Sequence, residues 1–183
     1  IFDSELDIDS KKTFKNYFYE IEDLEGYEQA KNEYLRYCFN TLNFVQTMSL
    51  FTLLQKHYCN SVERAKIIKN LTNEISDRVI VFVKFLSSIP EDAIAITGDV
   101  KLKDRKQIID DFKQGKFKVL YITYGCGAYG LNLQFCKHMI FAEHSFDYAQ
   151  REQAEHRIYR IGQAGDVTYY NVWCNSGLER LIK

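Results

Sequence analysis

The chain has little proline and no long apolar run. Pro90 is the single proline among 183 residues, and no repeat or low-complexity tract divides the sequence. The apolar runs at 79–83, 119–122 and 138–142 have the length of strands, well short of the roughly 20 residues that a membrane-spanning helix needs. The opening Ile-Phe-Asp-Ser-Glu is acidic and lacks the basic start of a signal peptide. We therefore expect neither a membrane span nor a secretion signal, and the missing initial Met indicates a piece of a longer protein.

Paired cysteines are also missing. The five cysteines form no C-x-x-C pair and leave an odd count, which predicts reduced thiols in an intracellular protein, cytoplasmic in a bacterial or viral host and nuclear in a eukaryote. Cys136, His138, His144 and His156 follow one another closely, but they lack the paired ligand spacing that zinc sites use. We expect no metal site.

Neither sign of charge is in excess over the whole chain, whose formal net charge is -1. Residues 1–33 carry ten acidic and four basic side chains, whereas residues 34–183 carry fifteen acidic and twenty basic ones. A local excess of basic residues of this size favours a nucleic-acid-binding groove over a surface that is basic throughout, although many ordinary domains have the same balance of charges.

After residue 77 the sequence alternates between strand and helix patterns. Apolar and β-branched runs predict strands at 78–83, 93–97, 117–123, 138–143 and 167–174. Helix patterns lie between these runs, at 103–114 and 147–160. The first helix carries an apolar stripe of Ile108, Ile109 and Phe112, and Asp147 is a suitable N-cap for the second. Strands buried on both faces that alternate with helices indicate an α/β domain with a mainly parallel sheet flanked by helices.

Residues 1–77 have a different pattern. A predicted edge strand near 14–21 leads into predicted helices, and Asn60 and Ser61 are available to cap the last of them. These helices are predicted at 24–39, 44–58 and 62–75. We divide the chain into an N-terminal helical extension at 1–77 and the α/β domain at 78–183.

The most informative segment is Gln-Ala-Glu-His-Arg-Ile-Tyr-Arg-Ile-Gly-Gln, residues 153–163. On a helix, Gln153, Arg157 and Arg160 would follow the i, i+4, i+7 rule and share one face. Arginine is permanently charged and binds phosphate bidentately, so two such side chains on one face predict a polyphosphate site. The alternative is a solvated basic face paired with Glu152 and Glu155.

A glycine-rich loop follows the predicted strand at 117–123. The sequence Gly-Cys-Gly-Ala-Tyr-Gly satisfies G-x-G-x-x-G, and Glu143 follows 18 residues after Gly125, so a dinucleotide site is a rival interpretation. Only residues 131–137 separate this loop from the next strand, which is too short for the helix of a dinucleotide-binding unit. We expect the glycines to let backbone N–H groups approach phosphate.

In order and spacing these segments resemble the motifs of the SWI/SNF-like branch of superfamily-two helicases. Residues 153–163 are similar to motif VI, usually Q-A-x-D-R-x-H-R-I-G-Q, with His156 in place of Asp and Tyr159 in place of His. Residues 123–133 are similar to motif V, typically S-T-R-A-G-G-L-G-L-N-L, and residues 79–85 resemble motif IV. The resemblance covers residues 78–183 densely and the first 77 loosely.

The resemblance implies the second RecA-like lobe of a double-stranded-DNA translocase, with a P-loop NTPase-like fold and an extension that links the two ATPase lobes. Arg157 and Arg160 would be arginine fingers that reach ATP held by the other lobe, and Gln163 would help to orient them. The residues implied to contact the nucleotide are Gly127, Gly130, Asn132 and Gln153. The residues implied to contact DNA, without reading its sequence, are Lys84, Thr97, Gly98, Arg105 and Thr123.

The chain lacks the parts that would complete an ATPase. It contains neither G-x-x-x-x-G-K-[ST], the loop that cradles phosphates, nor an Asp-Glu pair for magnesium and the attacking water. We therefore expect the N-terminal RecA-like lobe of the same protein to bind most of the ATP and Mg, and this chain alone to be inactive. Arg157 and Arg160 should face the carboxyl edge of the sheet. The alternatives are a non-catalytic nucleic-acid-binding module and, more distantly, a dinucleotide-binding Rossmann domain.

Overall fold

The described part of the molecule is built on one parallel sheet. The structure, a computed structural model, describes residues 10–41, 44–126, 131–160, 162–175 and 178. Within these residues the strands are β1 (Lys12–Tyr19), β2 (Val79–Val83), β3 (Ala95–Ile96), β4 (Val119–Thr123), β5 (His138–Phe141) and β6 (Val167–Cys174). Their order is β1-β6-β5-β2-β4-β3, and every neighbouring pair is parallel. The predicted α/β fold with a mainly parallel sheet is confirmed.

Helices cover both faces of this sheet. They are α1 (Leu24–Thr41), α2 (Phe44–Cys59), α3 (Val62–Glu74), α4 (Leu102–Lys113) and α5 (Tyr148–Glu155). Residues of α1, α2 and α3 pack in one apolar cluster with one face of the sheet, and residues of α4 and α5 pack in a second cluster with the other face. In α4 the predicted stripe faces the sheet, since Phe112 is fully buried and Ile108 and Ile109 pack against the same cluster.

The central strand β2 shows why the sequence folds this way. It reads Val-Ile-Val-Phe-Val, and all five side chains are buried. Successive side chains of a strand point to opposite faces, so Val79, Val81 and Val83 join the cluster on the α1–α3 side, whereas Ile80 and Phe82 join the cluster on the α4–α5 side. A strand that is apolar at every position therefore needs helices on both faces.

The edge strand β1 belongs to the same sheet although it lies in the predicted extension. It pairs with β6 over its full length, from Lys12 opposite Val167 to Tyr19 opposite Cys174. The sequence predicts this strand near residues 14–21, and the structure places it two residues earlier. The domain boundary between residues 77 and 78 stays a prediction.

Helix α3 begins at the cap that the sequence predicts. The Ser61 hydroxyl accepts a hydrogen bond from the backbone N–H of Arg64 at 3.2 Å and donates to a carboxylate oxygen of Glu22 at 3.0 Å. The same oxygen of Glu22 accepts from the backbone N–H of Glu63. Hydrogen bonds from the Glu63 N–H and then from Ser61 lower the pKa of the Glu22 carboxyl. These contacts fix α3 to the segment between β1 and α1.

The cysteines whose side chains are described are core residues. Cys59, Cys126, Cys136 and Cys174 are buried and form no disulfide. Burial raises the pKa of the Cys136 thiol to about 12. Over the described ranges, no helix combines the length and the apolar content needed to cross a membrane.

The packing of α3 predicts that the helical extension contributes to global stability. Leu71 of α3 is 3% exposed in the core, whereas Leu24 of α1 is 53% exposed. We expect Leu71→Ala to lower the free energy of unfolding by about 2–5 kcal/mol because it leaves a cavity, and Leu24→Ala to change it by less than about 0.5 kcal/mol. Denaturant unfolding of the two variants measures the difference. Equal effects would contradict the assignment of α3 to the shared core.

Candidate functional site

The arginine segment follows α5, which starts where predicted and ends earlier. The carboxylate of Asp147 accepts a hydrogen bond from the backbone N–H of Ala149 at 3.0 Å, so the predicted N-cap is confirmed. The helix ends at Glu155, and residues 156–160 form turns and a bend. The predicted helix through residue 160 is therefore wrong.

Side chains from outside the helix bind the backbone where it ends. The hydroxyl of Tyr169 donates to the carbonyl of Glu155 at 2.9 Å, and the side-chain amide of Gln163 donates to the carbonyl of Ile158 at 2.8 Å. The carbonyl of Glu155 also accepts from the backbone N–H groups of Ile158 and Tyr159, so the side chains add hydrogen bonds at the end of the helix. Ile158 is fully buried in the turn. The single helix face expected for Gln153 and the two arginines does not form.

The arginine segment contacts the chain just before β5 and just before β1. The amide of Gln163 also donates to the carbonyl of Cys136, just before β5, at 3.2 Å, and the hydroxyl of Tyr159 donates to the carbonyl of Ser10, just before β1, at 3.2 Å. A helix that connects two parallel strands runs opposite to them, so the residues after it return to the amino edge. The expectation that Arg157 and Arg160 face the carboxyl edge is wrong.

Arg157 and Arg160 place two positive charges close together, and the described residues form no ion pair with either of them. The Nε atom of Arg157 is buried and has no hydrogen-bond partner in the described part of the chain. Burial lowers the pKa of Arg157, and the charge of Arg160 lowers it further. Glu155, a proposed partner in the solvated-face alternative, instead pairs with Arg151 at 2.8 Å. A buried donor without a partner costs free energy, which an anionic ligand would recover.

Three of the other predicted residues, Arg105, Asn132 and Gln163, line a groove next to this segment. Asn132 and Gln163 lie on its wall, opposite α4, and the cavity volume is about 610 Å³. Its basic lining side chains are Arg105, Lys106, Lys113 and Lys137. Gln153 is exposed on α5. Gly127 and Gly130 lie outside the described residues.

The predicted DNA contacts lie at the opposite edge of the sheet. Lys84 directly follows β2, Thr97 directly follows β3, and Thr123 ends β4, and these three strands are neighbours. Gly98 is exposed, and a Cβ atom built on it would meet nothing within 4 Å. The structure thus brings these residues to one carboxyl edge, where ligands of parallel sheets bind. Their contact with DNA stays a prediction.

Arg105 supports this edge from inside. It is 5% exposed, and its guanidinium donates to the carbonyls of Val100 at 2.7 Å, Thr97 at 3.1 Å and Gly98 at 3.2 Å. These three hydrogen bonds direct its guanidinium towards the loop. Arg105 therefore holds the loop that carries Thr97 and Gly98, and any effect on DNA would act through that loop.

The structure rules out the dinucleotide interpretation. Glu143, which would have to meet a ribose, is fully buried, and its Oε1 lies 2.6 Å from Nη1 of Arg64. The strand before the glycine loop, β4, lies between β2 and β3, and residues 131–137 contain no helix. A dinucleotide fingerprint needs a helix directly after its loop to receive the pyrophosphate.

Sequence reasoning missed a polar network at the carboxyl end of β5. The ring of His144 stacks on Trp173, with centroids 3.6 Å apart, and its Nε2 lies 3.0 Å from the carbonyl of Val172. Arg151 contacts His144 Nδ1 at 3.1 Å and donates to Asn171 Oδ1 at 2.7 Å. The only signal in the sequence is a run of polar residues, Glu-His-Ser, directly after an apolar strand.

Comparisons with known proteins identify the class to which this fold and site belong. The model of the helicase conserved C-terminal domain matches residues 30–162, and the chain belongs to that family. The uncharacterized ATP-dependent helicase YqhH of Bacillus subtilis is 33% identical over 129 residues, which cover 65% of this chain and 23% of YqhH. The ATP-dependent helicase FUN30 of Saccharomyces cerevisiae is 23% identical over 154 residues, which cover 76% of this chain and 14% of FUN30.

A solved structure with the same fold supports this assignment. The SWI2/SNF2 ATPase core of Sulfolobus solfataricus in complex with dsDNA superposes with a TM-score of 0.73 at 18% identity, covering 93% of this chain and 42% of that one. The RecA-like fold and the resemblance to SWI/SNF-type helicases are thereby confirmed. The chain spans about a quarter or less of the length of the curated relatives it matches.

The buried imidazole of His144 predicts a pH dependence of stability. Burial and, to a lesser extent, Arg151 lower its pKa from 6.5 to about 3. Between these values the unfolded chain binds a proton that the folded chain does not, so stability is full above the unfolded pKa and is lost as the pH falls towards the folded one. We expect this group to reduce the free energy of unfolding by about 2 kcal/mol between pH 7 and pH 5.

Denaturant unfolding of His144→Gln at both pH values measures this contribution. The variant should lose less stability on acidification than the unchanged protein. His57→Gln replaces an exposed histidine of α2 and is the matched control. An identical loss in His144→Gln and the unchanged protein would contradict the prediction.

Proposed function

We propose that this chain is the lobe of an ATP-dependent double-stranded-DNA translocase that supplies arginine fingers to ATP bound by a first lobe. The observation that carries the proposal is the buried Nε of Arg157, which has no hydrogen-bond partner among the residues that the structure describes and lies close to the charge of Arg160. Two arginine side chains that form no ion pair with a carboxylate among the described residues are suited to bind an anion of high charge. The relatives are named ATP-dependent helicases, so we take this anion to be ATP.

The chemistry needed from these arginines is electrostatic. Negative charge spreads over the oxygens of the γ-phosphoryl group as it is transferred, and planar guanidinium groups stabilise that charge bidentately. The phosphate charge would also offset the repulsion between Arg157 and Arg160. Gln163 positions the turn that carries both, because its amide donates to Ile158 and to Cys136. Asn132 and Gln153, with Gly127 and Gly130, complete the proposed nucleotide contacts.

The first lobe would supply what this chain lacks. A phosphate-cradling loop is absent from the sequence, and within the described residues no group of three His, Cys, Asp or Glu side chains could hold a metal ion. We therefore assign the ATP phosphates and Mg mainly to an N-terminal RecA-like lobe of the same intracellular protein. Several relatives are named ATP-dependent helicases, and this chain covers only a small part of their length.

DNA would bind at the carboxyl edge of the sheet. Lys84, Thr97, Gly98 and Thr123 would contact the phosphate backbone, which gives affinity without reading bases. The Sulfolobus core of the same fold is in complex with dsDNA, which supports this assignment. Since the segment of Arg157 and Arg160 lies towards the amino ends of the strands and the proposed DNA contacts lie at the carboxyl ends, closing the cleft around ATP would move the DNA edge as one body with the arginines.

Replacement of the arginines tests the nucleotide role. In the full-length protein, we expect Arg157→Ala or Arg160→Ala to lower DNA-stimulated ATP turnover by roughly 10³-fold or more, because each finger neutralises transition-state charge. Arg157→Lys should rescue little, because an ammonium lacks the planar fork. DNA affinity, measured by fluorescence anisotropy, should stay within a factor of about two.

Arg36→Ala is the matched control, since Arg36 is an exposed arginine of α1 on the other face of the sheet. It should leave turnover unchanged. Normal turnover in Arg157→Ala and Arg160→Ala would disprove the finger assignment. DNA binding without any ATP turnover in the unchanged full-length protein would favour the non-catalytic nucleic-acid-binding module.

The missing phosphate loop predicts the behaviour of the isolated chain. We expect residues 1–183 to hydrolyse no ATP above background, with or without DNA, because arginine fingers alone cannot position the nucleotide and the attacking water. A phosphate-release assay on the purified chain measures this. ATP hydrolysis that persists when the chain is purified to constant specific activity would contradict the assignment of the phosphate loop and the magnesium ligands to another lobe.

A further inference from the structure

Lys84 is held by groups from the helical extension. Its ammonium donates a hydrogen bond to Oε1 of Gln55 in α2 at 2.7 Å. It also lies over the rings of Phe146, 5.0 Å from the centroid, and Phe85, 5.6 Å from the centroid. A lysine side chain has four rotatable bonds and many rotamers, so contacts of this kind restrict where its charge points.

Gln55 links Lys84 to the neighbouring strand end. It is fully buried, and its Nε2 donates to the carbonyl of His144, just beyond β5, at 2.9 Å. One amide therefore fixes both the side chain after β2 and the backbone after β5. A buried amide is costly unless both its oxygen and its nitrogen are paired. An apolar side chain would fill the same space in the core at less cost, so packing alone does not explain a glutamine here.

A second buried group fixes the backbone of the same loop. Oε2 of Glu143 accepts hydrogen bonds from the backbone N–H groups of Lys84 at 2.6 Å and Phe85 at 3.3 Å. Its other oxygen pairs with Arg64 of α3, and both side chains are nearly inaccessible to solvent. The position of Lys84 therefore depends on α2 for its side chain and on α3, through Glu143, for its backbone.

We propose that Gln55 is a positioning residue for DNA binding, which orients the ammonium of Lys84 towards a DNA phosphate, and that Arg64 and Glu143 hold the loop that carries it. The helical extension then sets the geometry of the DNA edge in addition to packing on the sheet. This inference rests on the proposed function, because it takes Lys84 to be a phosphate contact.

A KM-against-kcat comparison in the full-length protein tests the proposal. ATP turnover is measured against the concentration of a blunt DNA duplex of unrelated sequence, for Gln55→Met, Lys84→Ala and the double variant. Methionine fills a similar volume without hydrogen-bond capacity, and Gln55→Leu serves if that variant does not fold. We expect Gln55→Met to raise the half-saturating DNA concentration by roughly three- to tenfold, with kcat within about twofold.

The double variant separates positioning from general destabilisation. In the Lys84→Ala background, Gln55→Met should not change the half-saturating DNA concentration further, because the lysine side chain that Gln55 orients is absent. Lys84→Ala should also reduce the slope of log affinity against log salt by roughly one. The matched control is Gln107→Met, which replaces an exposed glutamine of α4 and should leave all values unchanged.

The possible failures are distinguishable. If Lys84→Ala raises the half-saturating DNA concentration and Gln55→Met does not, only the positioning role of Gln55 is wrong. The same conclusion follows if the effects of the two substitutions add in full in the double variant. If Lys84→Ala has no effect, both the DNA contact at Lys84 and this inference are wrong. Turnover that does not respond to DNA in the unchanged protein would overturn the proposed function itself.

Discussion

One buried carboxylate, that of Glu143, joins three parts of the molecule. It accepts hydrogen bonds from the backbone after β2, lies two residues after the end of β5, and pairs with Arg64 of α3. A buried ion pair is weak evidence for stability, but removing one partner costs about 3–5 kcal/mol because the other charge is left buried. The Glu143 carboxylate therefore links the helical extension to the sheet, and we expect substitution of Glu143 or Arg64 to destabilise the fold.

Parallel strands impose the second constraint, which separates the two candidate sites. Side chains after β2, β3 and β4 must gather at the carboxyl edge, whereas residues after α5 must return to the amino edge. Lys84 and Thr123 thus lie at one end of the sheet, and Arg157 and Arg160 lie towards the other. A rigid sheet between the two proposed sites can transmit motion as a body without an internal rearrangement, which is what the proposed translocase function requires.

Much of the fold could be predicted because it follows local patterns. The apolar run of β2, the stripe of α4 and the caps at Ser61 and Asp147 each depend on residues close in sequence. The contacts at the end of α5 could not be predicted in this way, since one of them comes from Tyr169, which is 14 residues from the carbonyl that its hydroxyl binds. The inward direction of Arg105 was missed because a basic residue at the start of a helix has the same pattern whether it faces solvent or a loop.

The family could be recognised from the spacing of its motifs, but the geometry of the site could not. Chain direction alone would have placed the arginine pair at the amino edge, and that argument was available from the predicted β-α-β order. The pairing of Lys84 with Gln55 was not available, because it joins residues 29 positions apart in different elements. Motifs thus indicated which residues matter, and the tertiary structure indicates what holds them.

The central claim is that Arg157 and Arg160 complete a nucleotide site. The most direct measurement is a structure of the full-length protein with duplex DNA, Mg and a non-hydrolysable ATP analogue. We predict at least one guanidinium nitrogen of this pair at roughly 2.7–3.1 Å from an oxygen of the γ-phosphate. Both side chains turned away from a nucleotide bound in a closed cleft would contradict the account.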